Sequence, residues 1–359
     1  MKKLLSLALA LMLALCALAV PTMAEEVPAA KMGMLTMLNV SEEETAGFNL
    51  AQVMLVSQLQ KEGQAAKEGD GVGAAYSVGD HWTKLSIETV YFDSLDAMLM
   101  ALNVGDIDGM NLYQSTADYL VRNNPGLFVP TDFSSVEENG SEFAKRVLKG
   151  FLSNDFAFMF MEDKTALRDE FSAAISAMRE DGTLDALAET YIKGVNAGNE
   201  PEAIAMPAIE GAETVKVAVT GSLPPMDYVA ADGTPAGFNT AVLAEISARI
   251  NKNIELVQVD SLGRAAALAS GTVDAVFWTR TNYSSNKWAE KSEEDRATLG
   301  DKVIEGMSEE EIATLDEFYK LVDFSTYGKM DMPEGTIISE PYYSDVLVAV
   351  LPITKLEQH

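Results

Sequence analysis

The feature that most constrains this chain is a set of three internal matches that recur in the same order. Residues 46–49 read AGFN, and residues 236–239 read AGFN again. Downstream, IETVYFDSLDAMLMALNVGDIDGM (87–110) aligns with IELVQVDSLGRAAALASGTVDAV (254–276), matching Ile87/Ile254, Glu88/Glu255, Val90/Val257, Asp93/Asp260, Ser94/Ser261 and Leu95/Leu262. One residue of slippage adds Leu102/Leu268, Gly105/Gly271 and Asp108/Asp274. Upstream, KMGML (31–35) corresponds to KVAVT (216–220). One such match arises easily by chance; three in one order imply a repeated unit.

Each unit reads as strand, helix, strand, helix, strand. KVAV is an apolar run of strand length. From Ala241, AVLAEISARI keeps apolar positions at helical spacing, and Asn251 follows as a breaker. IELVQV alternates like a strand, Ala265–Ala269 is helical until Gly271 stops it, and VDAVF is again a strand. Alternating strands and helices imply an α/β fold of two related lobes, with parallel or mixed sheets flanked by helices around a cleft. Ligands of such sheets bind outside the carboxyl ends of the strands. The 359 residues also exceed what one core normally serves, so two domains are expected.

The expected boundaries are a first unit at 25–194, a linker at 195–214 rich in Asn, Gly, Pro, Glu and Ala, and a second unit at 215–359. Between the repeats, FAFMFME (156–162) reads as a buried strand. TALRDEFSAAISAMRED then forms an amphipathic helix ended by Gly182, and LDALAETYI a second one running to Gly194. Lys61–Asp80 and about 282–335 read as insertions. The second contains SEEEIATLDEFYKLV, an acidic helix in which Ser308 and Glu311 form a capping box.

Residues 1–24 read as a secretory signal. Lys2 and Lys3 precede an apolar run from Leu4 to Val20, and Thr22-Met23-Ala24 supplies the small residues of a cleavage site after Ala24. An uncleaved anchor is the alternative, with the run at the lower edge of spanning length and no basic stop-transfer cluster behind it. Cys16 raises a lipobox reading, which Leu15 before it disfavours. A secreted, periplasmic or extracellular cell-surface location follows.

Composition excludes several chemistries. Cys16 is the only cysteine, so a processed chain has no disulfide, thiol nucleophile or thiolate metal site. His81 and His359 are the only histidines, too few for a multi-histidine metal centre and poor support for Ser-His-Asp hydrolysis. With 26 basic against 55 acidic residues, the surface repels nucleic acid and anionic lipid. The 18 methionines lie mostly at apolar helix and strand positions and read as core. Asp106 and Asp108 read as a solvated turn, not a glycosidase pair.

Residues 215–276 resemble the family 3 extracellular solute-binding proteins, which have the type 2 periplasmic-binding fold. VKVAVTGSLPPMDYVAADGTPAGFN follows the family's order of first strand, Pro-Pro-aromatic loop, acidic-Gly turn and Gly-Phe-Asp helix start, with Met226 at the aromatic position, Tyr228 two residues on and Asn239 in place of the aspartate, and ALASGTVDA matches a later family pattern. SEPYYSDVLVAVL (339–351) is similar to the segment that leaves the first lobe for the hinge. Residues 156–192 are similar to the closing strand and helices. The closing segment here precedes the opening one. Two tandem shortened units fit that order, and so does one bilobal protein with rearranged connectivity, the favoured reading.

The resemblance implies a non-enzymatic, monomeric binding protein without cofactor, which captures a small polar, amino-acid-like solute for the membrane permease of an ABC transporter. A degenerate fold acting as a sensor or protein-interaction module is the alternative, and a lyase would need an acid–base pair that the sequence does not offer. The family's carboxylate-gripping arginine falls at Asn286 or Lys287, its ammonium-binding aspartate at Tyr113, and the aspartate after Gly-Phe at Asn239. Both charged anchors are therefore replaced.

Candidate ligand contacts follow from strand ends. Met226, Asp227 and Tyr228 follow Pro224 and Pro225 in the loop after KVAV, which read blandly is a proline-rich turn. Phe277, Trp278, Thr279 and Arg280 follow the third strand of the second unit. Trp278 is there to stack and Arg280 to pair with a carboxylate, or else Trp278 caps the core with Arg280 solvated. Asn111, Tyr113, Gln114 and Ser115 form the matching loop of the first unit, and Tyr342 and Tyr343 after Pro341 read as hinge and rim.

Overall fold

A computed structural model describes residues 30–36, 87–129, 140–141, 144–145, 148, 152–260, 263–281 and 334–353. The signal segment, the first AGFN, both insertions almost entirely, Asn286, Lys287 and both histidines lie outside them.

The fold is mixed α/β. In the first half, β1 (Ala30–Leu35), β2 (Ile87–Phe92), helix α1 (Leu95–Val104), β3 (Gly109–Tyr113), α2 (Gln114–Asn123) and β4 (Leu127–Phe128) follow in order. Then come β5 (Ser153–Met161), α3 (Thr165–Glu180), α4 (Thr183–Ala188) and a π-helical turn at Glu189–Gly194. The second half runs β6 (Thr214–Val219), the small antiparallel strands β7 (Ser222–Leu223), β8 (Asp227–Val229) and β9 (Pro235–Ala236), then α5 (Phe238–Ile250) and β10 (Asn253–Gln258). It ends with α6 (Gly263–Ala269), β11 (Ala275–Arg280), β12 (Thr336–Ile338) and β13 (Tyr343–Pro352).

The main sheet orders its strands β10-β6-β11-β5-β13-β3-β1-β2, with β12 on β5 and β4 on β13. This resolves into two five-stranded lobes, β2-β1-β3-β13-β4 and β10-β6-β11-β5-β12. Each lobe holds one strand from the other half of the chain: β13 enters the first lobe and β5 the second. Both crossing strands run antiparallel to their neighbours, so each lobe is a parallel trio closed by an exchanged strand.

The registers of the two lobes coincide. Lys31 pairs with Glu88 as Lys216 pairs with Glu255, and Met32 with Gly109 as Val217 with Ala275. Leu351 opposes Phe128 as Phe160 opposes Ile337. Met159 stands to Val276 as Val350 stands to Met110, and five residues back along each crossing strand are Asn154 and Asp345. Those two pair with each other, at the centre of the lobe–lobe relation.

A single lock repeats as well. The Lys31 N–H donates to Asp108 Oδ2 (2.9 Å) while the Asp108 N–H donates to the Lys31 carbonyl (2.7 Å). In the second lobe the Lys216 N–H reaches Asp274 Oδ2 (2.9 Å), and the Asp274 N–H returns to the Lys216 carbonyl (2.8 Å). An aspartate just before the third strand thereby fixes the start of the first.

The closing segment packs on the second lobe. Helix α3 buries Phe171, Ala174, Ile175 and Met178, one stripe at helical spacing. Phe171 meets Phe158 and Phe160 edge-on, at centroid distances of 5.3 and 5.1 Å. The helix expected through Ile192 stops being α at Ala188 and continues as the π turn. Residues 199–213 hold no helix or strand.

Candidate functional site

In the second lobe, the loop after β6 is folded around one carboxylate. Buried Asp227 accepts hydrogen bonds at Oδ2 from the Thr220 N–H (2.7 Å), the Thr220 hydroxyl (2.8 Å) and the Gly221 N–H (2.7 Å). Burial pushes this carboxyl above its ordinary value, against those bonds. Asp227 thus serves the loop through one oxygen.

The Pro-Pro loop closes onto α5. The Phe238 N–H donates to the Pro225 carbonyl (3.0 Å) and the Asn239 N–H to the Met226 carbonyl (2.8 Å), so the loop backbone caps the helix start. Gly237 makes this approach possible. Its φ is +103°, and a Cβ there would lie 2.6 Å from the Met226 carbonyl oxygen. Met226 is fully buried beneath this turn, and Tyr228 stands half-exposed on β8.

Strand β11 departs from regular pairing at Trp278. Val276 opposes Met159 and Thr279 opposes Ala157, so three steps on β11 match two on β5. Trp278 takes up the bulge with φ at +51°, a left-handed conformation that a bulky residue adopts only under constraint. Three groups supply that constraint. Arg264 Nη2 donates to the carbonyls of Phe277 and Trp278, with its guanidinium carbon 5.4 Å from the centroid of the Phe277 ring. The Tyr342 hydroxyl accepts from the Trp278 N–H (3.2 Å) and donates to Asn239 Oδ1 (2.9 Å). Phe156 stacks on the indole, with centroids 3.7 Å apart and planes 6° from parallel. Burial lowers Arg264 to about 10 and pushes the Tyr342 and Tyr343 phenols up.

The two lobes meet at this stack. Tyr113, at the carboxyl end of β3, lies edge-on to Phe156 (4.8 Å) and to Trp278 (6.2 Å), while Tyr343 flanks Trp278 at 6.0 Å and Phe238 at 5.0 Å. One loop from each half and both crossing strands therefore share a single aromatic junction.

The candidate contacts fall into four groups, with Tyr228 apart on β8. Tyr113, Trp278 and Tyr343 come together in the junction, with Tyr342 behind it. Met226, Asp227 and Phe277 are committed to the loop, the helix cap and the Arg264 brace. Ser115 turns to the crossing strand, its hydroxyl donating to Asp345 Oδ2 (2.5 Å), and Gln114 binds Asp118 (2.5 Å). Arg280 and Thr279 are buried at the end of β11, and Asn111 is buried in β3. Both amide atoms of Asn111, the Trp278 Nε1 and the Thr279 and Thr281 hydroxyls are buried without a hydrogen-bond partner. No cluster of metal-ligating side chains occurs among the described residues.

Sequence reasoning missed Arg264, Phe156 and Asp345. The signal for Arg264 was a lone basic residue opening an otherwise apolar helix. Phe156 stood in the strand FAFMFME without an assigned partner.

Residues 215–287 match the model of the bacterial extracellular solute-binding proteins, family 3. No curated protein matches. Among solved structures, the chain is similar to a ligand-binding component of an ABC-type import system from Staphylococcus aureus with zinc bound. That alignment has 11% identity, 93% of this chain and 69% of that one, and a TM-score of 0.37. The periplasmic aliphatic sulphonate-binding protein SsuA from Escherichia coli aligns at 12% identity over 93% and 64% of the two chains, TM-score 0.31. The GluR0 ligand-binding core complexed with L-glutamate aligns at 8% identity over 92% and 90%, TM-score 0.33. Over residues 215–287, where strand, Pro-Pro loop, Gly-Phe helix start and Val-Asp-Ala strand follow in order, the chain is similar to the family 3 extracellular solute-binding proteins.

Proposed function

We propose that this protein is an exported solute-binding protein that captures a small polar solute between its lobes and passes it to an ABC-type permease. One observation carries the reading: the exchange of β5 and β13 gathers strand-end loops from both halves at one junction. Such an exchange supports a single bilobal protein over two tandem units. The closing strand and helices precede the opening strand in this chain, and the stretch at 195–214 joins them. The connectivity is then that of a rearranged binding protein built on a repeated lobe.

Capture requires the lobes to part, because Phe156, Trp278 and Tyr113 fill the junction as it stands. Unpartnered polar groups at Asn111, Thr279 and the Trp278 indole provide neutral hydrogen bonding once a solute replaces those contacts. Amino-acid recognition by a fixed charge pair is disfavoured, since Asn239 and Tyr113 stand where acidic groups are expected. A panel of amino acids, amines, polyols and small acids, read by heat-denaturation shift and confirmed by calorimetry, tests the reading. A saturable response abolished by Tyr113→Ala supports it, and no response across the panel overturns it.

The filled junction favours a second reading, a degenerate fold that contacts another protein at the cell surface. A defined partner recovered by pull-down, together with silence in the solute panel, would establish that alternative.

A further inference from the structure

The strongest unassigned feature is a buried acid where the lobes cross. Asp345 lies on β13 opposite Asn154 of β5 and is 6% exposed. Its Oδ2 accepts the Ser115 hydroxyl (2.5 Å) and N–H (3.3 Å) from the first turn of α2, and its Oδ1 accepts the Val346 N–H (2.8 Å). Ser115 continues the chain of contacts: its carbonyl accepts Asn196 Nδ2 at 2.9 Å, from the segment that closes the second lobe. Nearby, a Cβ on Gly198 would fall 2.3 Å from Arg122 of α2, so the two segments are in close contact there. A single path therefore runs from the crossing strand, through the head of a first-lobe helix, to the second lobe.

Among the described residues, the groups that act on Asp345 are neutral or acidic. Asp118 of α2 adds like charge, Asn154 faces it from β5 and Tyr343 precedes it by two residues. Asp155, beside Asn154, takes the Ser344 hydroxyl. Among the described residues no ion pair reaches Asp345.

We propose that Asp345 is a proton-responsive latch: protonated, it keeps the lobe junction shut, and ionised, it draws water in and lets the lobes part. Burial pushes its carboxyl up to about 7, against the bonds from Ser115 and Val346. A buried state with a raised value holds the proton more tightly than a hydrated state does, so rising pH favours whichever arrangement wets the group. The sign is the same for unfolding: the stabilisation is complete below the ordinary carboxylate value and is lost as pH rises through about 7. The latch goes beyond solute capture, and its test uses no solute.

Heat-unfolding midpoints and radii of gyration from small-angle scattering, at pH 5.5 and 8.5 in constant salt, compare the wild type with Asp345→Asn. That variant copies the residue found at the counterpart position, Asn154. The wild type should lose about 3–5 °C more than the variant on going to pH 8.5, and only the wild type should expand. Asn196→Ala cuts the path to the second lobe while leaving Asp345 covered, so it should keep the midpoint response and lose the expansion. Should Asp345→Asn not fold, Ser115→Ala, which removes a donor to the ionised form, should move the wild-type transition to higher pH. Equal responses in wild type and variant would overturn the latch. So would a midpoint difference without any pH-dependent change in radius, which would leave Asp345 a buried acid and nothing more.

Discussion

The two lobes share a frame and differ at one strand. Their parallel trios have the same register, each is locked by the same pair of lysine–aspartate hydrogen bonds, one to the carboxylate and one between backbones, and each receives its crossing strand at the same offset. Yet β3 pairs with β13 residue for residue from Met110 to Tyr113, whereas β11 bulges against β5 at Trp278. Regular pairing leaves Leu112 in the first-lobe core. The bulge instead turns Trp278 onto Phe156, where Arg264 and Tyr342 hold its backbone. The two frames thus coincide except at this strand, and the aromatic junction lies where they differ.

The sharpest way to break that comparison is to truncate the two counterpart residues. Trp278→Ala should cost about 4 kcal/mol and Leu112→Ala about 3 kcal/mol, measured by denaturant unfolding. Glycine should then separate the lobes. At φ +51° an alanine carries a left-handed penalty of about 1–2 kcal/mol, so Trp278→Gly should match or exceed Trp278→Ala in stability. In the regular strand, Leu112→Gly should fall about 0.5–1 kcal/mol below Leu112→Ala. Equal ordering in both lobes would mean that the bulge is not a strained conformation.

Next in size is Gly237→Ala. The added methyl meets the Met226 and Pro225 carbonyls at 2.6 and 2.8 Å and sits at a φ that favours glycine. A loss of about 2–3 kcal/mol is expected, with the loop withdrawn from the α5 start. A loss below about 0.5 kcal/mol would show that the Pro-Pro loop is not clamped to the helix.

How much of this was legible in the sequence divides along the same line. Aligned pairs such as Glu88/Glu255 and Asp108/Asp274 anticipate the shared register because residues that set strand starts recur with the strands. The α5 helix was legible from Ala241 and begins three residues earlier, at Phe238, because loop carbonyls rather than a side chain cap it. The bulge was not legible: Val276, Phe277 and Trp278 are all apolar and buried, so no change of period marks the extra residue. Arg264 stood out only as a lone basic residue in an apolar helix, and its role was hidden because the carbonyls it serves lie 13 and 14 residues downstream. Tyr113 and Trp278 were marked by their strand-end positions, but the ring between them, Phe156, belongs to the exchanged strand, and hydrophobic pattern does not reveal exchange.

The shared lock gives a smaller and more even comparison. Asp108→Ala and Asp274→Ala each remove the acceptor of a backbone bond, and each should cost about 2 kcal/mol. Asp274 also binds Lys164 at 2.8 Å, so its loss should be the larger of the two by at most about 1 kcal/mol.

The smallest effect isolates that added charge. Lys164 is 43% exposed and Asp274 24%, so solvent screens the pair, and Lys164→Ala should cost only about 0.5 kcal/mol in low salt, shrinking at high salt. Its signature lies in the pH profile. Burial acts to raise Asp274, but the bonds from Lys164 and the Lys216 N–H outweigh it and hold the carboxyl below its ordinary value. A depressed carboxylate contributes stability above its unfolded value of 3.8, and that contribution is lost as pH falls through the lower folded value. Removing Lys164 should therefore narrow the stability difference between pH 6 and pH 3, opposite in direction to the neutral-range response of Asp345. In stability curves across pH 3 to 9, the difference between Lys164→Ala and the wild type should close at the acidic end, whereas that between Asp345→Asn and the wild type should change as pH rises through about 7. If both differences changed only at the acidic end, Asp345 would be an ordinary carboxylate and the asymmetry between it and Asn154 would carry no proton chemistry.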